Sequence, residues 1–152
     1  MAHIVTTITI ARAQAAVFEF VTTPSFWPSW HPSSESVAMS DGQAAEHPLR
    51  LGEQVREHIV ASGLRDHVVW TVVEYDYPRR WVISGRAGSG ASAILSYELQ
   101  AHGTRTLFRR ELDYKLRDNA GLGALDQFLI RWRAKHLSRR TLLQLRALLE
   151  RQ

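Results

Sequence analysis

"LRDHVVWTVVEYDYPRRWVISGRA", residues 64–87, holds two runs of β-branched and aromatic residues separated by "PRR". Such runs favour extended backbone, and a proline-led break between them reads as a tight turn. The stretch predicts two antiparallel strands, over 64–77 and 81–87. The same rhythm extends in both directions. Downstream, "GSG" leads into "ASAILSYELQ" (91–100), and "AHGT" leads into "RTLFRRELDYKL" (105–116). Upstream lie "EQVREHIVAS" (53–62) and "SESVAMS" (34–40), separated by "DGQAAEHPLRLG" (41–52), a polar loop broken by glycine and proline. Strands at this spacing form a meander.

The two ends of the chain differ from this middle. "IVTTITIA" (4–11) is a further strand, with Ile4, Thr6, Ile8 and Ile10 on one face. "RAQAAVFEFV" (12–21) places Ala16, Val17, Phe20 and Val21 at helical spacing. Pro24 and Pro28 end that helix, and Pro24 can open a second short one. The corner "FWPSWHPSSES" (26–36) is then expected to turn Phe26, Trp27 and Trp30 inward as an apolar plug, with His31 exposed beside Pro32. From Ala120 onward the chain is free of proline and rich in leucine, alanine and arginine. Leu122, Leu125, Leu129, Trp132, His136, Leu143 and Ala147 follow a period near 3.6, which predicts one long helix capped by Asp118 or Asn119.

The 152 residues fit one domain spanning 1–152, with enough chain for a substantial core. No apolar run approaches the roughly 20 residues of a membrane helix, so membrane insertion is not expected. The N-terminus lacks a secretory pattern, and the cytoplasm is the default compartment. There is no cysteine, which excludes disulfides and thiolate chemistry. The net charge is +4, yet the segment from Ala120 carries seven cations against two anions. That segment has no nucleic-acid motif and no aromatics on its basic face. It reads as a solvated helix face rather than a nucleic-acid surface, and docking of an acidic partner is the alternative.

A sheet with one apolar face must cover it, and the terminal helix is the only element large enough. A curved sheet around a single helix leaves a hollow. The order of elements, with "VFEFVTTPSFWPSWHPS" (17–33), "VVWTVVEYDYPRRW" (68–81) and "GTRTLFRRELDY" (103–114), resembles the START-like, Bet v 1-like (SRPBCC) superfamily, nearest its bacterial polyketide cyclase/dehydrase-type proteins. The resemblance implies an α+β helix-grip fold. In it a curved antiparallel sheet of about seven strands wraps one long C-terminal helix, and two short helices follow the first strand. It also implies a hydrophobic ligand cavity between sheet and helix. The family includes carriers, aromatase/cyclases and co-chaperone-like proteins.

Period-2 alternation assigns the inward residues. Over 105–114 the wet face takes Arg105, Arg109, Glu111 and Asp113, which leaves Arg110 as a charge among Thr106, Phe108, Leu112 and Tyr114. Over 55–61 the inner set is Val55, Glu57, Ile59 and Ala61. Over 91–99 it is Ala91, Ala93, Leu95, Tyr97 and Leu99. Over 64–77 both faces are apolar, and Val68, Trp70, Val72 and Glu74 are placed inside. A buried guanidinium calls for a partner, Glu57 or Glu74. Two readings stand side by side. Arg110 and a glutamate form a structural ion pair, or Arg110, Glu57 and His136 are the polar end of a pocket whose apolar grip is Trp70, Tyr97, Phe108 and Trp132. His136 reads as a core histidine hydrogen-bonded to a backbone carbonyl, with proton transfer as the alternative if it faces a ligand. "GRAGSG" (85–90) lies between strands and reads as a hairpin, not a phosphate loop. The seven histidines are scattered, so no metal or other cofactor is expected. The sequence thus predicts a binder of a small hydrophobic or aromatic molecule. The alternatives are a polyketide aromatase/cyclase or dehydrase-type enzyme, and an interaction module. Ligand identity and oligomeric state stay open.

Overall fold

A computed structural model describes residues 2–61, 64–115 and 138–151. Strand β1 (Ala2–Ile10) leads into helix α1 (Gln14–Thr22), a 3-10 turn (Pro24–Phe26) and the single-turn helix α2 (Trp27–Trp30). Six strands follow: β2 (Ser34–Met39), β3 (Gln54–Ala61), β4 (Leu64–Asp76), β5 (Arg80–Ala87), β6 (Ser92–His102) and β7 (Arg105–Lys115). Helix α3 occupies 138–150. All seven strands join one antiparallel sheet in the order β1-β7-β6-β5-β4-β3-β2. This is the expected helix-grip order, with β1 and β2 as the two edges. Among the described residues no helix is long and apolar enough to cross a membrane.

Alternation holds along β3, β6 and β7, where Val55, Glu57, Leu95, Tyr97, Leu99, Thr106, Phe108 and Arg110 are all buried. It fails once, in β4. The β4–β5 register slips between Val72 and Glu74. This bulge leaves Val73 52% exposed and reverses the phase, because one extra residue moves every later side chain to the other face. Glu74 therefore points outward, against expectation, and Tyr75 packs on the core beside Phe18. On the outer face Glu74 pairs with Arg80 (3.0 Å), Arg80 with Glu98 (2.5 Å), Glu98 with Arg109 (3.5 Å) and Arg109 with Glu111 (2.7 Å). His3 of β1 continues the ladder to Glu111 and Asp113. The ladder crosses the strands on a wet face, where each such pair adds little.

The core is a run of aromatic rings. Trp81 stacks on Tyr97 at 5.2 Å, Tyr97 meets Phe108 edge-on at 5.0 Å, and Trp27 meets Trp81 at 6.2 Å. Trp27 and Trp30 are buried as expected, but Phe26 is 44% exposed and stacks on Phe20 outside the core. The long loop between β2 and β3 is pinned rather than free. Ala45 and Leu49 are fully buried, and the Leu49 carbonyl accepts the Trp81 indole N–H at 3.0 Å. In α3 the buried stripe is Ser138, Thr141, Leu142, Leu145 and Leu149. Leu143 and Ala147, expected on that stripe, are exposed. The run "TLLQLRALL" has leucines on more than one face, so leucine content alone could not set the phase.

Gly85 sits opposite Trp70 in the β4–β5 register, and the indole lies across it. A Cβ there would fall 2.5 Å from Trp70 Cε3 and 2.8 Å from Val68 Cγ1. Gly85→Ala is expected to cost about 1–3 kcal/mol by overpacking, read from urea unfolding. A variant within 0.5 kcal/mol of wild type, by roughly the scatter of neutral surface changes, would contradict this packing.

Candidate functional site

The inner face carries two charges, and the fold brings them to one place. Glu57 of β3 and Arg110 of β7 line a single small cavity of about 30 Å³, together with Trp27, Trp30, His31, Trp70, Ile83, Leu95 and Tyr97. β6–β7 pairing sets Arg110 directly opposite Tyr97, and β1–β7 pairing sets it opposite Thr6. Its guanidinium donates through Nη1 to Ser138 Oγ (2.8 Å) and through Nη2 to His31 Nε2 (3.2 Å). Ser138 in turn contacts Thr6 Oγ1 at 3.0 Å, which ties α3 to β1. An arginine can only donate, so His31 Nε2 must present its lone pair and the proton sits on Nδ1, 2.9 Å from Ser33 Oγ.

The expected Arg110–glutamate ion pair does not form. Among the described residues Arg110 has no carboxylate within 4 Å. Glu74 is on the opposite face, and Glu57 accepts the Trp70 indole N–H at 3.0 Å. Two buried donors are left over at this cavity: Arg110 Nε and Trp30 Nε1 have no hydrogen-bond partner. Arg110 is 5% exposed and Trp30 fully buried. Orphaned buried donors are rare and costly, and they mark places where water or a ligand belongs.

Burial also sets the protonation states. It pushes the Glu57 carboxyl up from its ordinary value, against the pull of Ser34, Trp70 and the Arg110 charge. It pushes the Tyr97 phenol up to about 12, although Arg110 lowers it. It pushes His31 down to about 3, helped by the Arg110 charge. Near neutral pH His31 and Tyr97 are uncharged, and Glu57 is shifted toward its neutral acid. Among the described residues the guanidinium is the permanent charge at the cavity.

Trp70, Tyr97, Arg110 and Glu57 are thus brought together as the sequence suggested. Phe108 is buried behind Tyr97 rather than on the cavity wall. Trp132 and His136 lie outside the described residues, as do Asp118 and Asn119. His31 was expected to be exposed and instead turns inward. α2 ends at Trp30, the extended His31 backbone redirects the chain, and the ring packs beside Trp30 at 6.0 Å. Trp30 and His31 are the site residues the sequence reading missed. The signal was the rigid "WPSWHPS" corner, which fixes where these rings point. Elsewhere, His3, Glu111 and Asp113 hold ligand-type atoms within 4.8 Å of one another on the wet face. Their positions are accounted for by the ion-pair ladder, in which Arg109 already occupies Glu111.

His31 gives a pH signature. Its folded pKa lies below its unfolded value of 6.5, so falling pH protonates the unfolded chain first and stability drops toward pH 3. Glu57 acts oppositely: its raised pKa makes ionisation costly in the fold, so stability rises as pH falls toward its unfolded value of 4.5. The two oppose each other above pH 4.5, and below it the His31 loss is joined by those of Glu53 and Asp66, whose carboxyls are held below their ordinary values. His31→Asn is expected to make that limb shallower in thermal melts, leaving the carboxylate share. An unchanged acid limb would show that His31 is not held neutral.

The profile of the family described as "Polyketide cyclase / dehydrase and lipid transport" matches residues 1–150. The chain belongs to this family. Solved structures show the same fold at low sequence identity. A protein from Thermus thermophilus aligns with a TM-score of 0.79 at 16% identity, over 96% of this chain and 95% of that one. The ZhuI aromatase/cyclase of a Streptomyces species aligns at 0.76 and 18% identity, over 99% and 94%. A START superfamily protein from Mycobacterium smegmatis aligns at 0.72 and 15% identity, over 98% and 97%. No curated protein matches the sequence significantly. The family's description covers polyketide cyclase/dehydrase activity and lipid transport, and the solved structures share the chain's START-like fold.

Proposed function

We propose that this polyketide cyclase/dehydrase-family chain binds a small hydrophobic or aromatic molecule bearing an oxygen acceptor, such as a carboxylate, phenolate or carbonyl. One observation carries the reading: a buried guanidinium with no carboxylate partner among the described residues and an orphaned Nε–H, at a cavity also lined by Trp30, Trp70 and Tyr97. A buried cation without a counter-charge and with one N–H unpaired is costly, and an acceptor seated on it would relieve that cost. Trp30 Nε1 supplies a second donor. The cavity of about 30 Å³ has room for roughly one water. A ligand's body must therefore widen it, and binding is coupled to an opening of the wall. Native mass spectrometry of the freshly purified protein tests this. A co-purifying small acid or phenol, absent from Arg110→Met, is expected. Wild type and variant carrying the same adduct would remove the cation from the site.

A second reading rests on Glu57. A carboxyl with a raised pKa in an apolar wall beside a phenol suits general acid–base work. It would make the chain a cyclase or dehydrase rather than a carrier. Conversion of a bound polyketide-like chain, lost in Glu57→Gln with binding retained, would select this reading.

A further inference from the structure

Among the described residues β1 is a terminal strand of the sheet, with no strand paired on its outer side. It pairs with β7 over nine consecutive residues without a register shift. It contains no proline, lysine or arginine, and its one ionisable side chain, His3, is engaged at one end by Glu111 and Asp113. The opposite edge, β2, is shorter and carries a bulge at Ser34/Ser36. Natural sheets blunt their edges with such bulges, charges or prolines, because alternate N–H and C=O groups of an open edge template a further strand. Beside β1 runs a groove of about 440 Å³, bounded by Thr6 to Thr9 on one side and by Arg139, Leu142, Leu143 and Arg146 of α3 on the other. Leu143 is 43% exposed. Arg139 and Arg146 make no ion pair among the described residues.

We infer that this groove docks an extended acidic segment of a partner protein by strand addition to β1, with Arg139 and Arg146 reading its carboxylates. The edge supplies register-independent backbone hydrogen bonds, and the helix supplies charge selectivity. Charge decides against a second copy of the chain. Joining two β1 edges would set four arginines side by side in a pair of molecules that each carry +4.

The test uses the full chain and a nine-residue peptide of alternating valine and glutamate, read by amide chemical shifts. The expected result is perturbation of the Thr6–Thr9 amides with an affinity that weakens as salt rises. The same peptide N-methylated at alternate amides is expected to bind at least 10-fold more weakly, a control that leaves the protein unaltered. R139E/R146E, verified as folded by thermal melting, is expected to lose at least 10-fold as well. Unperturbed β1 amides, equal binding of the methylated peptide, or equal binding by the charge-reversed variant would each overturn the inference. So would self-association through β1 in sedimentation, or arginine-dependent binding to phosphatidylserine vesicles in place of the peptide.

Discussion

Trp81→Ala should destabilise the fold by about 3–5 kcal/mol, the range for emptying a buried large aromatic site. That is a large part of the roughly 5–15 kcal/mol that holds a domain together. Three contacts concentrate the effect. Trp81 is fully buried, stacked on Tyr97 at 5.2 Å with planes 27° apart, and touched edge-on by Trp27 at 6.2 Å. Its indole N–H is also the partner of the Leu49 carbonyl at 3.0 Å. Removing it both opens a cavity at the centre of the ring stack and unpins the long β2–β3 loop. Trp81→Phe separates the two effects. It keeps most of the apolar volume but leaves a buried carbonyl unpaired, at about 1–3 kcal/mol. In that variant the Leu49 and Ser25 amides, bonded to Thr22 and Ala45 carbonyls in wild type, should exchange with solvent faster. Urea unfolding and amide exchange measure both. A loss below about 1.5 kcal/mol for Trp81→Ala would mean the interior collapses around the void, and the core would not be the close-packed stack described.

Strand order was legible because each turn is marked, and inward faces were legible along β3, β6 and β7 because those sequences alternate. "RTLFRRELDY" announces Arg110 by placing a charge where only apolar residues belong, and "EQVREHIVAS" does the same for Glu57. "WTVVEY" gives no such mark. Four successive apolar or β-branched side chains suit either face, so the bulge that sends Glu74 outward has no trace in the alternation. The phase of α3 was hidden for a related reason, since leucines on several faces leave the buried stripe to be chosen by packing against β1 and β7. His31 was hidden by its surroundings. A histidine followed by a proline reads as a surface turn, and only the angle at which α2 ends aims the ring at a guanidinium 79 residues away. Local pattern fixes which residues face inward. It does not reveal which of them find partners, and the orphaned Nε–H of Arg110 is a property of the assembled site.

Arg110→Met is the substitution that separates a structural cation from a ligand-orienting one. Methionine keeps much of the side chain's apolar stem and removes the charge, and replacing a buried charge by a well-packed apolar group is often neutral or stabilising. The two hydrogen bonds lost, to Ser138 and His31, cost on the order of 1 kcal/mol each, which removal of an uncompensated buried cation offsets. Stability is therefore expected to stay within about 1.5 kcal/mol of wild type. Binding should respond far more. With 2-naphthoate as probe, affinity should fall at least 30-fold, about 2 kcal/mol, while naphthalene, which has no acceptor, binds variant and wild type alike. The Glu57 carboxyl, deprived of the nearby positive charge that holds it down, should shift further toward the neutral acid, a change visible in its carboxyl carbon resonance. Arg110→Lys should fall between, retaining the charge but not the planar fork that reaches Ser138 and His31 together. A loss of stability above about 3 kcal/mol in Arg110→Met, or equal loss of naphthoate and naphthalene binding, would instead make the guanidinium a structural member of the β7–α3–β1 junction and leave the acceptor-binding role without support.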